Sequence, residues 1–342
     1  MKKFGLALML MAMLAVPMLA CGFPLPAGNS TQPMLQAVCA SGETTDTCEA
    51  RQTAYAQMAS LQSATIPDFS LELVMDDGTT QSVMRMTGSY EYIVTGDPTG
   101  LGASIHAVLD EAVISDDTGT QDYSGLEFIL IGDQAYSTDD GGATWTVETL
   151  GLEGEEALGL GVMLGLNSAT GTSLDLFSDP TIFSVSTGAG ETYKDQNMLV
   201  QTMTVDLAAM LMNPDALNEM MSMGMESGSD FGLDEESLGM DPAEAVMFAA
   251  MLMPFLEGTE FSTTLWIGET DGFIHYVEDN YVFVMDSSAM DPTAAPLSIE
   301  YTLTGHITNH NATPDIVAPE GATEGSSGLF GGTNLGDSLF GE

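Results

Sequence analysis

Few residues in this chain have types and spacings suited to chemistry. Met220-Met221-Ser222-Met223-Gly224-Met225 is the densest run among 25 methionines. Its spacing could present thioethers from Met220, Met221, Met223 and Met225 to a soft cation such as Cu(I). The same side chains serve equally as an adaptable apolar surface. Four histidines, His106, His275, His306 and His310, fall in or beside strand-like segments, and His306 and His310 are near enough in sequence to meet at a strand end. Two imidazoles without a third ligand make a weak metal site. Asp116-Asp117-Thr118-Gly119-Thr120-Gln121-Asp122 crowds oxygens into a turn that could attract calcium, but the EF-hand spacing is absent and a solvated loop is the plainer reading. There is no G-x-S-x-G elbow, no phosphate-binding G-x-x-x-x-G-K-S/T and no dinucleotide fingerprint. Carboxylates are so frequent that no pair marks acid–base work. The expectation is a protein without catalytic residues, resident metal or cofactor.

That abundance of acid bounds the partners. The 342 residues carry 50 Asp and Glu against five Lys and Arg, a net charge of −45. Such a polyanion repels nucleic acid and anionic headgroups, and draws cations to its surface. At 44% hydrophobic residues the chain is long and apolar enough to bury a large core, so the acidity is read as a solvated surface rather than disorder.

The first 20 residues have the layout of an export signal. Lys2 and Lys3 precede an apolar run, Phe4 to Leu19, too short to span a bilayer. Met18-Leu19-Ala20-Cys21 closes it and resembles the lipobox of bacterial lipoproteins, whose cysteine takes a diacylglycerol and becomes the acylated N-terminus. Met18 stands where Leu is usual. Lipidation of Cys21 implies anchoring at the extracytoplasmic face of the cell membrane; ordinary cleavage after Ala20 implies secretion. Beyond the signal only Arg51, Arg85 and Lys194 remain basic. With Cys21 assigned to lipid, Cys39 and Cys48 are left to pair in an oxidising compartment, a bridge worth ~2–3 kcal/mol for so short a loop.

The elements that must position any site follow from periodicity. Residues 22–33 read as a tether and 34–62 as weakly helical, so that 21–60 forms an anchored tether with the cysteine pair. From Phe69 the period is two: Phe69, Leu71, Leu73 and Met75, then Met84, Met86, Tyr90, Tyr92 and Val94, each alternate with mostly polar residues. This is the signature of long antiparallel strands with one apolar face. Further strands are expected at 103–109, 125–131, 134–138, 144–149, 181–187, 198–205 and 261–267, with Asp139-Asp140-Gly141-Gly142 as a hairpin turn. Residues 273–277 and 281–285 read as a hairpin pair, and 297–307 as one unbroken strand. Asp241-Pro242-Ala243-Glu244 opens a helix that is apolar on all sides through Leu256, and Asn213-Pro214-Asp215 opens another through Met221. Residues 151–166 are apolar and Gly-rich, 222–240 is a polar loop, and 320–342 reads as a disordered Gly/Ser-rich tail.

Strands, apolar helices and strands behind such a signal resemble the LolA/LolB-like fold, and more closely the LppX/LprG-type lipoproteins. Ile131-Gly132-Asp133-Gln134-Ala135-Tyr136 with Thr144-Trp145 is similar to one family hairpin. Thr264-Leu265-Trp266-Ile267-Gly268 with Asp271-Gly272-Phe273-Ile274 is similar to another, and Ile316 with Pro319 to the family's ending. The resemblance spans about 60–319 and implies an α+β domain over 61–319: a curved antiparallel sheet forming an incomplete (half) β-barrel, with apolar helices against its concave face. It also implies a lipid or other apolar ligand, held by Leu71, Leu73, Met84, Met86, Tyr90, Tyr92, Leu265, Leu297, Ile299, Tyr301 and Leu303 from the sheet and Val246, Met247 and Met251 from the helix. The alternative is a structural or interaction lipoprotein, its sheet plugged permanently by residues 242–256.

Overall fold

The computed structural model describes residues 39–40, 42–95, 103–116, 119–149, 181–188, 190–213, 259–285 and 295–325. The signal, Cys21, the methionine run, the helix expected over 242–256 and the segment 151–166 lie outside them.

The described chain is mostly sheet. Helix α1 (Thr45–Ala59) comes first, followed by β1 (Ser63–Asp76), β2 (Gln81–Val94), β3 (Ala103–Asp116), β4 (Gly119–Asp122), β5 (Leu126–Ile131), β6 (Gln134–Thr138) and β7 (Thr146–Thr149). Then come β8 (Phe183–Thr187), β9 (Glu191–Tyr193), β10 (Gln196–Val205), a short α2 (Leu207–Met212), β11 (Glu260–Gly268), β12 (Ile274–Met285), β13 (Leu297–His306) and β14 (Thr323–Glu324). The strands form one open sheet in the order β14-β7-β6-β5-β3-β2-β1-β13-β12-β11-β10-β8, with β4 beside β3 and β9 beside β10. Every pairing is antiparallel except β14 with β7. Among the described residues the edges β14 and β8 do not pair, and the sheet they bound is open. Residues of β6 (Ala135) and β8 (Phe183) nonetheless belong to one continuous buried cluster with α1.

Bulges let long strands bend around that core. Pro67-Asp68 on β1 faces the single Ser89 of β2, and Asp110 on β3 is the extra residue opposite Thr87-Gly88. Pro67 has no N–H for the ladder, which suits a bulge. At Gly88 a Cβ would lie 1.9 Å from the Val108 carbonyl oxygen, so only glycine permits the approach. The β1 bulge also moves the apolar parity from Ile66 to Phe69, and so the alternating pattern begins cleanly only at Phe69.

Helix α1 is capped by Thr44, whose hydroxyl accepts from the Thr47 N–H at 3.3 Å. Its buried residues, Cys48, Arg51, Ala54, Tyr55 and Met58, recur at three- and four-residue spacing and pack on the sheet. Arg51 is 0% exposed and pairs with Glu43 at 2.6 Å. The Cys39–Cys48 disulfide fastens the preceding chain to the same helix.

Two expectations are corrected. Residues 273–277 and 281–285 are not a hairpin: β12 runs unbroken from Ile274 to Met285. Glu278-Asp279-Asn280 looked like a turn, but Asp279 is buried and accepts from the Thr263 hydroxyl at 2.6 Å, so the strand carries it through the core. Helix α1 falls in the segment read as weakly helical, and its buried stripe admits Arg51 because Glu43, just ahead of the helix, pairs with it. Thr323–Glu324, expected in the tail, forms β14 against the β7 edge. The helix expected from Asn213 lies beyond the described residues; Asn213 itself is the C-cap of α2.

Candidate functional site

The inner face of the sheet is built by register. Leu73 on β1 pairs with Tyr301 of β13 on one side and Met84 of β2 on the other; Leu71 pairs with Leu303 and Met86. Tyr301 continues to Tyr281, and Ile299 and Leu297 to Phe283 and Met285. Val277 continues to Leu265 on β11. Toward β3, Tyr90 pairs with Ala107 and Tyr92 with Ile105. Cross-strand partners point to the same side, and so all eleven sheet residues expected at the ligand site share one face. Val246, Met247 and Met251 lie outside the described residues.

Burial divides that face in two. In the half that shares one buried cluster with α1, Ala64, Ile66, Tyr92, Ile105, Leu130 and Ile274 are each at most 1% exposed. Beyond the two bulges, Leu71, Leu73, Met75, Met84, Met86 and Ile114 are only half-buried, as are Leu297, Tyr301 and Leu303 on β13. This second half is apolar, built of flexible Leu and Met, and less completely covered.

A small polar cluster interrupts the face. Thr263 donates to Asp279 at 2.6 Å and lies 3.2 Å from the Tyr281 hydroxyl. Burial pushes the Asp279 carboxyl up to about 7, against the hydrogen bonds from Thr263 and Tyr281, with the adjacent Glu278 adding to the rise. Tyr90, Tyr92 and Tyr301 are held above the ordinary tyrosine range by burial and remain protonated phenols. The alternation Val277, Asp279, Tyr281, Phe283 was the signal that could have placed Asp279 inside.

The outer face is polar and aromatic. Trp266 meets Tyr276 edge-on at 4.7 Å, Tyr276 meets His306 at 4.5 Å, and His306 stacks on Tyr193 at 5.2 Å. Trp266 donates its indole N–H to Glu191 at 2.9 Å, and His306 bonds Asp68. His306 and His310 do not form a pair: His310 stacks on Phe273 at 4.4 Å and lies edge-on to His275 at 5.0 Å. Burial holds the His310 pKa below the ordinary value. His106 sits between Glu127 at 2.8 Å and Glu91 at 3.5 Å.

At the two ends of the segment expected to attract calcium, Asp116 accepts from Gly119 N–H at 3.1 Å and Asp122 from Ser124 N–H at 2.9 Å. Among the described residues no group of three His, Cys, Asp or Glu is arranged to hold a metal. No described helix is long and apolar enough to cross a membrane. A groove of about 390 Å³ lies at the β7–β14 edge between Trp145 and Pro319–Thr323, away from the apolar face.

The sequence matches no protein-family model and no curated protein. Among solved structures the chain is similar to the Mycobacterium tuberculosis lipoprotein LppX, at 10% identity over 80% of this chain and 100% of that one, with a TM-score of 0.32. It is similar to LprF from Mycobacterium bovis, at 11% identity over 81% and 99%, with a TM-score of 0.36. A putative outer membrane lipoprotein-sorting protein domain from Vibrio parahaemolyticus aligns at 9% identity over 86% and 97%, with a TM-score of 0.19. These are the kinds of protein that the sequence motifs resemble. At TM-scores this low the fold rests on the strand order and register described above.

Proposed function

We propose that this protein is a non-enzymatic, extracytoplasmic lipoprotein that binds a lipid or other apolar ligand on the inner face of its open sheet. One observation carries the reading: a single face, continuous in register across β1, β2, β12 and β13, is fully buried on the α1 side but half-buried and apolar beyond the bulges. Apolar surface gains about 25 cal/mol for each Å² removed from water, so an acyl chain is a favourable guest there. The anchor is the acylated Cys21, and the tether behind it ends at the Cys39–Cys48 bridge, which fixes the chain to α1. The acidic exterior stays solvated and attracts cations.

Native mass spectrometry of protein purified from membranes tests this reading. Two masses are expected, an acyl modification on the peptide containing Cys21 and a non-covalent lipid released on unfolding. Protein that carries no lipid, and takes none up after delipidation, would show that the face is a filled core.

A further inference from the structure

The closed half of the inner face holds two hydroxyls that the fold does not use. Tyr90 and Tyr92 stand two residues apart on β2, their rings 6.1 Å apart, with both phenolic oxygens buried and without a hydrogen-bond partner. Tyr92 is 1% exposed. A buried hydroxyl left unpaired costs roughly 1–3 kcal/mol, and phenylalanine would fill either position without that cost. Their cross-strand neighbours are all apolar, Ala64 and Ile105 beside Tyr92 and Ile66 and Ala107 beside Tyr90, so none of these offers the hydroxyls a side-chain partner. Held protonated by burial, both hydroxyls are donors.

The charges around them select the acceptor. Arg51 is engaged with Glu43, Arg85 with Glu72 on the outer face, and Lys194 lies over the Tyr193 ring. Asp279 is an acid on the inner face itself. An anionic headgroup taken into this half would therefore be desolvated with no cation to pair it. An uncharged oxygen, such as an ester or ketone carbonyl, needs only the two donors.

We propose that the ligand binds with an uncharged carbonyl-bearing group inward, hydrogen-bonded by Tyr90 and Tyr92, and with its hydrocarbon running toward Met86, Met84 and Leu71. Tyr92 and Met84 are eight residues apart on one strand, about 26 Å at ~3.3 Å per residue, a span suited to a long acyl chain. This rests on the apolar-ligand reading above and adds an orientation and a specificity to it.

The test uses the delipidated mature chain and two probes of equal chain length, a fatty acid methyl ester and the corresponding alkane, each titrated against a bound fluorescent naphthylamine. The ester is expected to bind wild type more tightly than the alkane. Tyr90→Phe/Tyr92→Phe is expected to weaken the ester roughly 10- to 100-fold and leave the alkane unchanged, with no fall in the thermal midpoint of the ligand-free protein. Tyr276→Phe, on the outer face, should leave both probes unaffected. Equal binding of the two probes to wild type, or an equal loss of both in the double variant, overturns the inward orientation while the apolar site stands. Failure of wild type to bind either probe overturns both readings.

Discussion

The two halves of the inner face share strands, alternation and apolar composition, yet they do different work. On the α1 side the side chains are fully buried: Ile66, Ile105, Leu130 and Ile274 lie with Tyr55, Met58 and Ile307 in one cluster. Beyond the bulges at Pro67-Asp68 and Asp110, the same strands present Leu71, Leu73, Met84 and Met86 half-buried. Isoleucine and aromatic rings dominate the first half; Leu and Met, unbranched at Cβ and more adaptable, dominate the second. One half specifies the fold and meets a guest only at the Tyr90 and Tyr92 hydroxyls, while the other is free to meet its hydrocarbon.

The largest break in that comparison should come from the buried ion pair under α1. Replacing Arg51 with Ala leaves the Glu43 carboxylate, 1% exposed, without its partner at 2.6 Å, and should cost about 3–5 kcal/mol in urea unfolding. Next, Ile105→Ala, at a fully buried site, should cost about 2–5 kcal/mol, while Leu71→Ala in the half-buried half should cost about 1 kcal/mol or less. Equal losses at the two sites would erase the distinction between the halves. Cys39→Ser/Cys48→Ser should cost about 2–3 kcal/mol, with the loss concentrated in hydrogen-exchange protection of α1.

A smaller effect sharpens the electrostatics. Burial pushes the Asp279 carboxyl up to about 7 from the ordinary carboxylate value of 3.8, so between those values the folded state holds a proton that the unfolded state has released. Its contribution is therefore greatest below the lower value and is lost as pH rises through about 7. Thermal melts from pH 5 to 8 should show a falling midpoint that Asp279→Asn flattens; a parallel slope in the variant would remove Asp279 from the account. The smallest effect is at the exposed Arg85–Glu72 pair, 2.7 Å apart on the outer face, where Arg85→Ala should cost under ~1 kcal/mol and less in high salt.

Much of the sheet was legible because its alternation is clean. The strands from Phe69, Met84 and Leu297 were visible from period-two burial, and their register then assembled the expected face. Other features were hidden by opposing local signals. Arg51 sits in the middle of the buried stripe of α1, so the helix reads as polar until Glu43 is placed beside it. Glu278-Asp279-Asn280 has turn chemistry, and only the hydroxyls of Thr263 and Tyr281 make a buried carboxyl acceptable in a strand. β14 is too short for any period, and forms because β7 offers an unpaired edge. The hydroxyls of Tyr90 and Tyr92 follow the apolar alternation as phenylalanine would, and nothing in the spacing shows that they lack partners.

Photocrosslinking locates a bound lipid on the sheet. A lipid bearing a diazirine along its acyl chain, irradiated with the delipidated protein and mapped by peptide mass, reports which side chains line the guest. The expected crosslinks fall within 69–76, 84–86 and 297–303, on the half-buried inner face, and disappear with excess unlabelled lipid. Crosslinks confined to the outer aromatic strip around Trp266 and Tyr276, or an absence of any that unlabelled lipid removes, would contradict lipid binding on that face.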